Sequence, residues 1–235
     1  MELKEVMAQL ESMGSEQTKK VFMKHGAKEP FFGVKVADLK VIQKKVKKDN
    51  NLALQLFDTG NGDAMYLAGL IADPQAMTKK DLQNWVKKAS WNMISEYTVA
   101  WVAAESKYGW ELALEWIDSD KDNISSSGWS TLGSIVAVNS DEDLDTKALK
   151  GLIKRVVDNI QSANNRTKYT MNSFLIAVGS YVKGLTEEAV KASKTVGVVE
   201  VNMGGTACKV PDAEQYIDKV KKKGYIGKKR KTAIC

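Results

Sequence analysis

Apolar residues recur along almost the whole chain at spacings of three and four, the period of one face of an α-helix. In Val36 to Lys48, Leu39, Ile42 and Val46 mark such a face. Further periodic segments run over residues 2–13, 15–25, 51–59, 62–72, 78–88, 91–105, 108–118, 123–138, 145–161, 166–183 and 186–194, separated by short polar connectors. Thr78 with Asp81, Asp145 ahead of an amphipathic run, and Thr186 ahead of two glutamates predict helix N-termini, where side-chain oxygens accept from free amides. Gly60, Gly62 and Gly184 fit helix ends, and Pro30, Pro74 and Pro211 are each expected near a helix start. Val196 to Val201, VGVVEV, is the one β-like stretch. A dozen short helices whose pairs recur at roughly 35–45 residues predict an all-α fold, a right-handed α-solenoid of antiparallel helix pairs of the HEAT-like kind.

Composition narrows the class. With 235 residues, 43% hydrophobic and 27% charged, the chain is long enough to bury a sizeable core. No apolar run approaches the roughly 20 residues of a membrane helix, and the N-terminus MELKEVMAQLESM carries acids where a leader would carry bases, so a cytoplasmic protein is expected. Two cysteines, Cys208 and Cys235, make no disulfide framework, and Cys208 reads as packing more than chemistry. The single histidine, His25, lies far from both, and Gly204-Gly205 lacks the spacing of a phosphate loop; neither metal nor cofactor is expected.

Charge is distributed unevenly. Eight basic residues and no acidic one fall between Lys219 and Lys231, which leaves 27 basic against 29 acidic side chains elsewhere. A neutral body with a cationic end suggests a placed contact with phosphates, so nucleic acid is the expected partner. Pro211 predicts a capping helix after residues 1–200, so residues 201–235 are expected to pack on the repeats as a cap with a basic tail carrying Lys228, Lys229 and Arg230. Lysine stripes lie opposite the apolar faces of two helices: Lys40, Lys44, Lys47 and Lys48 on the first, Lys147, Lys150 and Lys154 on the second. Each fits a solvated surface, and stacked in a solenoid such faces form one curved surface able to track a phosphate backbone. The acidic loops 118–122 and 141–145 are expected on the opposite side or edge.

Aromatic residues add a second candidate. Trp101 and Trp116 sit among apolar neighbours as core residues do, whereas Trp91 follows Lys87 and Lys88 and precedes Asn92, as a partly exposed indole beside phosphate-binding groups would. In NNRTKYTMNSF, Arg166 and Lys168 occupy the first turn of an apolar helix, where cations oppose the dipole. Either an anion docks there, or Arg166 pairs with an acidic loop.

FMKHGAKEPFFGVKVADLKVIQKKVKK, KKASWNMISEYTVAWV, NRTKYTMNSFLIAVGSYV and the GGTACKVPDAEQYI…GKKRKT tail together resemble the DNA alkylation repair proteins of the AlkD type. The resemblance implies HEAT-like repeats with a basic concave surface for duplex DNA, and a glycosylase that hydrolyses the N-glycosidic bond of cationic N3- and N7-alkylated purines without flipping the base. It implies two tryptophans, an aspartate and an arginine at the lesion. Here Trp91 is kept, but Trp91-Asn92-Met93-Ile94-Ser95 stands where the family reads Trp-Asp-x-Val-Asp, so the catalytic aspartate falls on Ser95. The arginine falls near Ser127 or Gly128, the second tryptophan near Leu175 or Ile176, and an N-terminal tyrosine on Phe22. A serine lacks the charge that stabilises a developing oxocarbenium, and its neighbour Glu96 points about 100° away in a regular helix. The favoured expectation is therefore a monomeric DNA-binding protein of this family, for duplex, damaged or branched DNA, with glycosylase activity reduced or lost. An active glycosylase using Trp91 and Glu96 is one alternative, and a helical-repeat scaffold for protein partners is another.

Overall fold

A computed structural model describes residues 1–234; Cys235 lies outside the described residues. The helices are α1 (Leu3–Met13), α2 (Glu16–Lys24), α3 (Val36–Val46), α4 (Asn50–Asp58), α5 (Gly62–Ile71) and α6 (Lys79–Lys88). A π-helix (Ile94–Val99) then runs straight into α7 (Ala100–Glu105). The rest are α8 (Gly109–Trp116), α9 (Asp122–Val138), α10 (Thr146–Asn159), α11 (Asn165–Tyr181), α12 (Thr186–Val196) and α13 (Ala213–Lys222). Strands are absent among the described residues, and VGVVEV is the end of α12 followed by extended chain. No helix among them is long and apolar enough to cross a membrane.

Local chemistry sets most boundaries. Thr78 accepts from the Asp81 amide while Asp81 reaches back to Thr78, a capping box, and Asp145 and Asp212 accept from the amides of Ala148 and Gln215. Gly60 follows α4 at φ +69°, a conformation in which glycine has no Cβ penalty. Other expectations shift. Gly62 opens α5 instead of closing α4, because Asn61 caps it. Thr186 is the first residue of α12, buried, with its hydroxyl on the Val182 carbonyl. Of the prolines only Pro211 lies beside a helix start, next to Asp212, the N-cap of α13.

The helices form a right-handed α-solenoid of antiparallel pairs. α5, the π-helix with α7, α9, α11 and α13 pack side by side as the inner, concave layer, while α4, α6, α8, α10 and α12 form the outer one. Large aromatics join successive pairs: Phe57 stacks on Trp85 at 4.2 Å, Trp129 meets Phe174 at 5.3 Å, and Tyr66 meets Trp101 edge-on at 5.8 Å. Trp101 and Trp116 are buried. Gly69 lets α5 approach the π-helix closely, since a Cβ there would lie 2.7 Å from the Thr98 methyl. The FFGV turn is held by Asp63 at the start of α5, whose carboxylate accepts from the amides of Phe32, Gly33 and Val34 at 2.6, 2.9 and 3.1 Å.

The tail is tied down. α13 packs on α11 and α12, with Ile217 seated on Gly179. Beyond it, the Gly227 amide donates to the Ser180 carbonyl at the end of α11, and the Arg230 amide to the Ala137 carbonyl at the end of α9. The Ala233 amide donates to the Glu105 carboxylate at the end of α7. Residues 227–233 thus run back across the C-termini of three inner helices and satisfy carbonyls and a carboxylate there.

Candidate nucleic-acid interface

The inner layer carries two adjoining clefts. The larger, about 1650 Å³, lies among the end of α2, the π-helix, the N-termini of α9 and α11, and the loop between α12 and α13. Trp91 is half-buried at its wall, packed on Phe22 at 5.6 Å, and Phe22 in turn faces Phe31 at 6.3 Å. Asn92 lies beside it. Cations enter from loops: Lys24, Lys28, Lys121 and Lys209 line the cleft together with Arg166, and none of these four lysines is in an ion pair among the described residues. Both carboxylates in the wall are engaged. Glu29 pairs with Lys19 at 2.8 Å, and Asp122 accepts from the amides of Arg166 and Thr167 at 3.0 and 2.8 Å. The smaller cleft, about 530 Å³, lies between α9, α11 and the tail, and Tyr97 and Tyr169 line both.

At the junction of the clefts sits an ion pair between residues 70 apart in sequence. Arg166 donates from Nε and Nη2 to the two oxygens of Glu96 at 2.7 and 2.6 Å, with the Glu96 side chain 3% exposed and that of Arg166 21%. The guanidinium also lies 4.3 Å over the Tyr169 ring. Burial pushes the Glu96 carboxyl up from the ordinary carboxylate range and the bonds from Arg166 pull it down, while nearby Asp122 adds to the upward push. Against the lowering effect of burial, those same bonds keep Arg166 cationic. Burial raises Tyr169 as well.

The π-helix explains how Glu96 reaches this place. A π turn carries an extra residue, which changes the angle between successive side chains. Ser95 therefore borders the larger cleft while adjacent Glu96 borders the smaller one. Ser95 itself is 1% exposed, and its carbonyl accepts from the Ser127 hydroxyl at 2.7 Å. Ser95, where the resemblance implies an aspartate, is thus bonded to Ser127, which with Gly128 marks the neighbourhood where the resemblance implies an arginine. Leu175 is buried, and Ile176 borders the smaller cleft.

The remaining predicted residues are dispersed. Lys40 and Lys44 on α3, Lys48 just beyond it, and Lys87 and Lys88 at the end of α6 are exposed but border neither cleft; Lys48 lies 3.9 Å from Asp73 and Lys88 2.9 Å from Asp58. Lys168 borders neither. The second lysine stripe is on α10, in the outer layer, where Lys150 meets Glu188 and Lys154 meets Asp158. The anion at the start of α11 is the protein's own Asp122, so the free amides there are already satisfied and Arg166 turns to Glu96. The acidic loop 118–122 is divided: its Lys121 and Asp122 line the larger cleft, while Asp118 pairs with Arg155 of the outer helix α10 at 2.7 Å. In the tail, Lys228, Lys229 and Arg230 border the smaller cleft, but Lys229 is taken up by the Val136 carbonyl at 2.9 Å and Asp141 at 2.7 Å, and Arg230 bonds the carbonyls of Ala233 and Ile234. Lys24, Lys28, Lys121, Lys209, Tyr97 and Tyr169 were not singled out by any motif or stripe in the sequence. The four lysines lie at or beyond helix ends, so only the fold gathers them. Cys208, exposed and unbridged, borders the larger cleft. No group of three or more His, Cys, Asp or Glu able to hold a metal occurs among the described residues.

The sequence model of the DNA alkylation repair enzyme family matches residues 6–209, and the chain belongs to that family. It is 32% identical to the uncharacterized protein Lin0241 of Listeria innocua and 33% identical to the uncharacterized protein Lmo0209 of Listeria monocytogenes, in both cases over 91% of this chain and 94% of the relative. A solved structure superposes with a TM-score of 0.92 at 38% identity, covering 100% of both chains. It is described as belonging to a new family of proteins related to the HEAT-like repeat DNA glycosylases with affinity for branched DNA structures.

Proposed function

We propose that the chain binds duplex or branched DNA in the larger concave cleft, with glycosylase activity reduced or absent. The observation that carries the reading is the balance of charge in that cleft: four lysines without ion pairs and the half-buried Trp91 face carboxylates that are already bonded to Lys19 and to backbone amides. Such a wall attracts phosphates and repels little. The related protein with affinity for branched DNA, similar over the full length, supports the same partner. Loss of activity is supported by Ser95 in place of an aspartate, by the uncharged Ser127 and Gly128 near the position of the arginine, and by Glu96, which is already paired with Arg166. Removing one preorganised group from an oxyanion site costs about 3–4 kcal/mol, and a cationic transition state deprived of its carboxylate loses a comparable share. In this reading residues 1–200 form the repeat domain, residues 201–235 its cap and basic tail, and the protein acts as a monomer in the cytoplasm.

Fluorescence anisotropy with a four-way junction and a blunt duplex tests it. Affinity falls steeply with salt, and replacing Lys28, Lys121 and Lys209 by alanine lowers the slope of log K against log salt by about 0.9 for each phosphate that is no longer neutralised. Binding that ignores salt defeats the reading. Release of 7-methylguanine from methylated duplex stays at background; robust release that disappears in Glu96→Gln would instead make Glu96 catalytic.

A further inference from the structure

The smaller cleft has a composition the duplex-binding surface does not need. Its floor is made of small residues on two inner helices, Gly133, Ser134 and Ala137 on α9 and Ser173 and Ala177 on α11. Around that floor stand tyrosines. Tyr97 and Tyr169 occupy the edge shared with the larger cleft, and Tyr216 and Tyr225, 49% and 51% exposed, occupy the tail side. Lys228, exposed, lies 4.7 Å over the Tyr225 ring. The Ser180 hydroxyl at the wall is buried with no hydrogen-bond partner among the described residues. At about 530 Å³ the space falls within the roughly 300–1,000 Å³ of small-ligand sites, room for one or two nucleotides and too small for a duplex.

We infer that this cleft receives one or two unpaired nucleotides at a branch or gap, their bases stacked on the tyrosine rings and a phosphate on Lys228. The inference deepens the DNA-binding reading and rests on it. Three features converge on this occupant. Aromatic faces stack any base, which suits a junction whose sequence varies. A lysine beside the rings supplies the backbone contact that a purely apolar peptide groove would lack. Continuity through Tyr97 and Tyr169 means that a strand leaving a duplex held in the larger cleft enters the smaller one without crossing bulk solvent. Arg166, fixed by Glu96, holds Tyr169 at that passage.

The test compares a duplex carrying a short single-stranded gap with the same duplex fully paired, using wild type and the double variant Tyr216→Leu with Tyr225→Leu. Both side chains are half exposed, so the melting temperature serves as a control of folding. Loss of two stacking partners is expected to weaken gapped DNA by roughly 5- to 150-fold per stacked base while paired DNA is unaffected. In wild type, 2-aminopurine placed in the gap is expected to be quenched and shielded from soluble quencher, a readout independent of any variant. If wild type binds neither DNA with salt dependence, the DNA-binding reading itself falls. If it binds both DNAs but the variant loses both equally or neither, or if 2-aminopurine in the gap is unchanged on binding, only the cleft assignment falls.

Discussion

Removing Arg166 should make the stability of this protein fall with rising pH more steeply than in the wild type, where burial already holds Glu96 above the ordinary carboxylate range. Among the described residues Glu96 has only that guanidinium as its counter-charge: its side chain is 3% exposed, and Arg166 supplies two bonds at 2.6 and 2.7 Å. Arg166→Met keeps most of the packing volume and leaves a carboxylate buried without a partner. Burial pushes a carboxyl in that state well above its ordinary range, and it protonates. The sign follows from linkage. With the folded pKa raised above the unfolded one near about 4.3, the contribution of Glu96 is fully present below that value and is lost as pH rises through the folded pKa. Removing one partner of a buried pair costs about 3–5 kcal/mol, so a loss of about 4 kcal/mol is expected at neutral pH. For a chain of this length each kcal/mol moves the melting temperature by about 2–4 °C, so the variant should melt about 8–16 °C below wild type at neutral pH and approach it near pH 4. Scanning calorimetry across that range measures the difference, and adding Glu96→Met should flatten the profile by removing the titrating group. Parallel pH profiles for wild type and Arg166→Met would refute the reasoning.

Other expectations follow from single contacts. Asp63→Ala strands three amides of the FFGV turn and should cost about 2–4 kcal/mol in denaturant unfolding, with α3 and the turn losing hydrogen-exchange protection first. Asp122→Ala uncaps α11 from across the repeat; a loss of about 1–2 kcal/mol is expected, with faster exchange at the amides of Arg166 and Thr167. Lys229→Ala removes bonds to Val136 and Asp141 and should cost about 1.5–3 kcal/mol, whereas Lys228→Ala should leave the melting temperature unchanged and lower affinity for DNA.

Helices were legible wherever the code is local. The face of Leu39, Ile42 and Val46, the capping box at Thr78 and Asp81, and the cap at Asp145 each depend on residues a turn apart, and each forms as the spacing predicts, although Val46 is only partly buried. The lysine stripes on α3 and α10 were equally visible, yet periodicity identifies a polar face without saying which layer of the solenoid it joins. α10 turned out to be an outer helix, with Lys150 and Lys154 in ion pairs. Arg166 was recognised as misplaced against the helix dipole, but its partner lay 70 residues away and its anion was Asp122 from the preceding repeat.

From the sequence alone came the helical class, the repeat period, the family and the anomaly of Ser95 at a position expected to be charged. These reside in neighbouring residues or in patterns that survive divergence. Which lysines share a cleft, that residues 227–233 cross the ends of three inner helices, and that Glu96 reaches Arg166 through a π turn were decided only by the tertiary structure. The physical reason is that an extra residue in one helical turn rotates side chains by an amount no periodicity records, and that charges from separate loops become neighbours only when the helices between them stack.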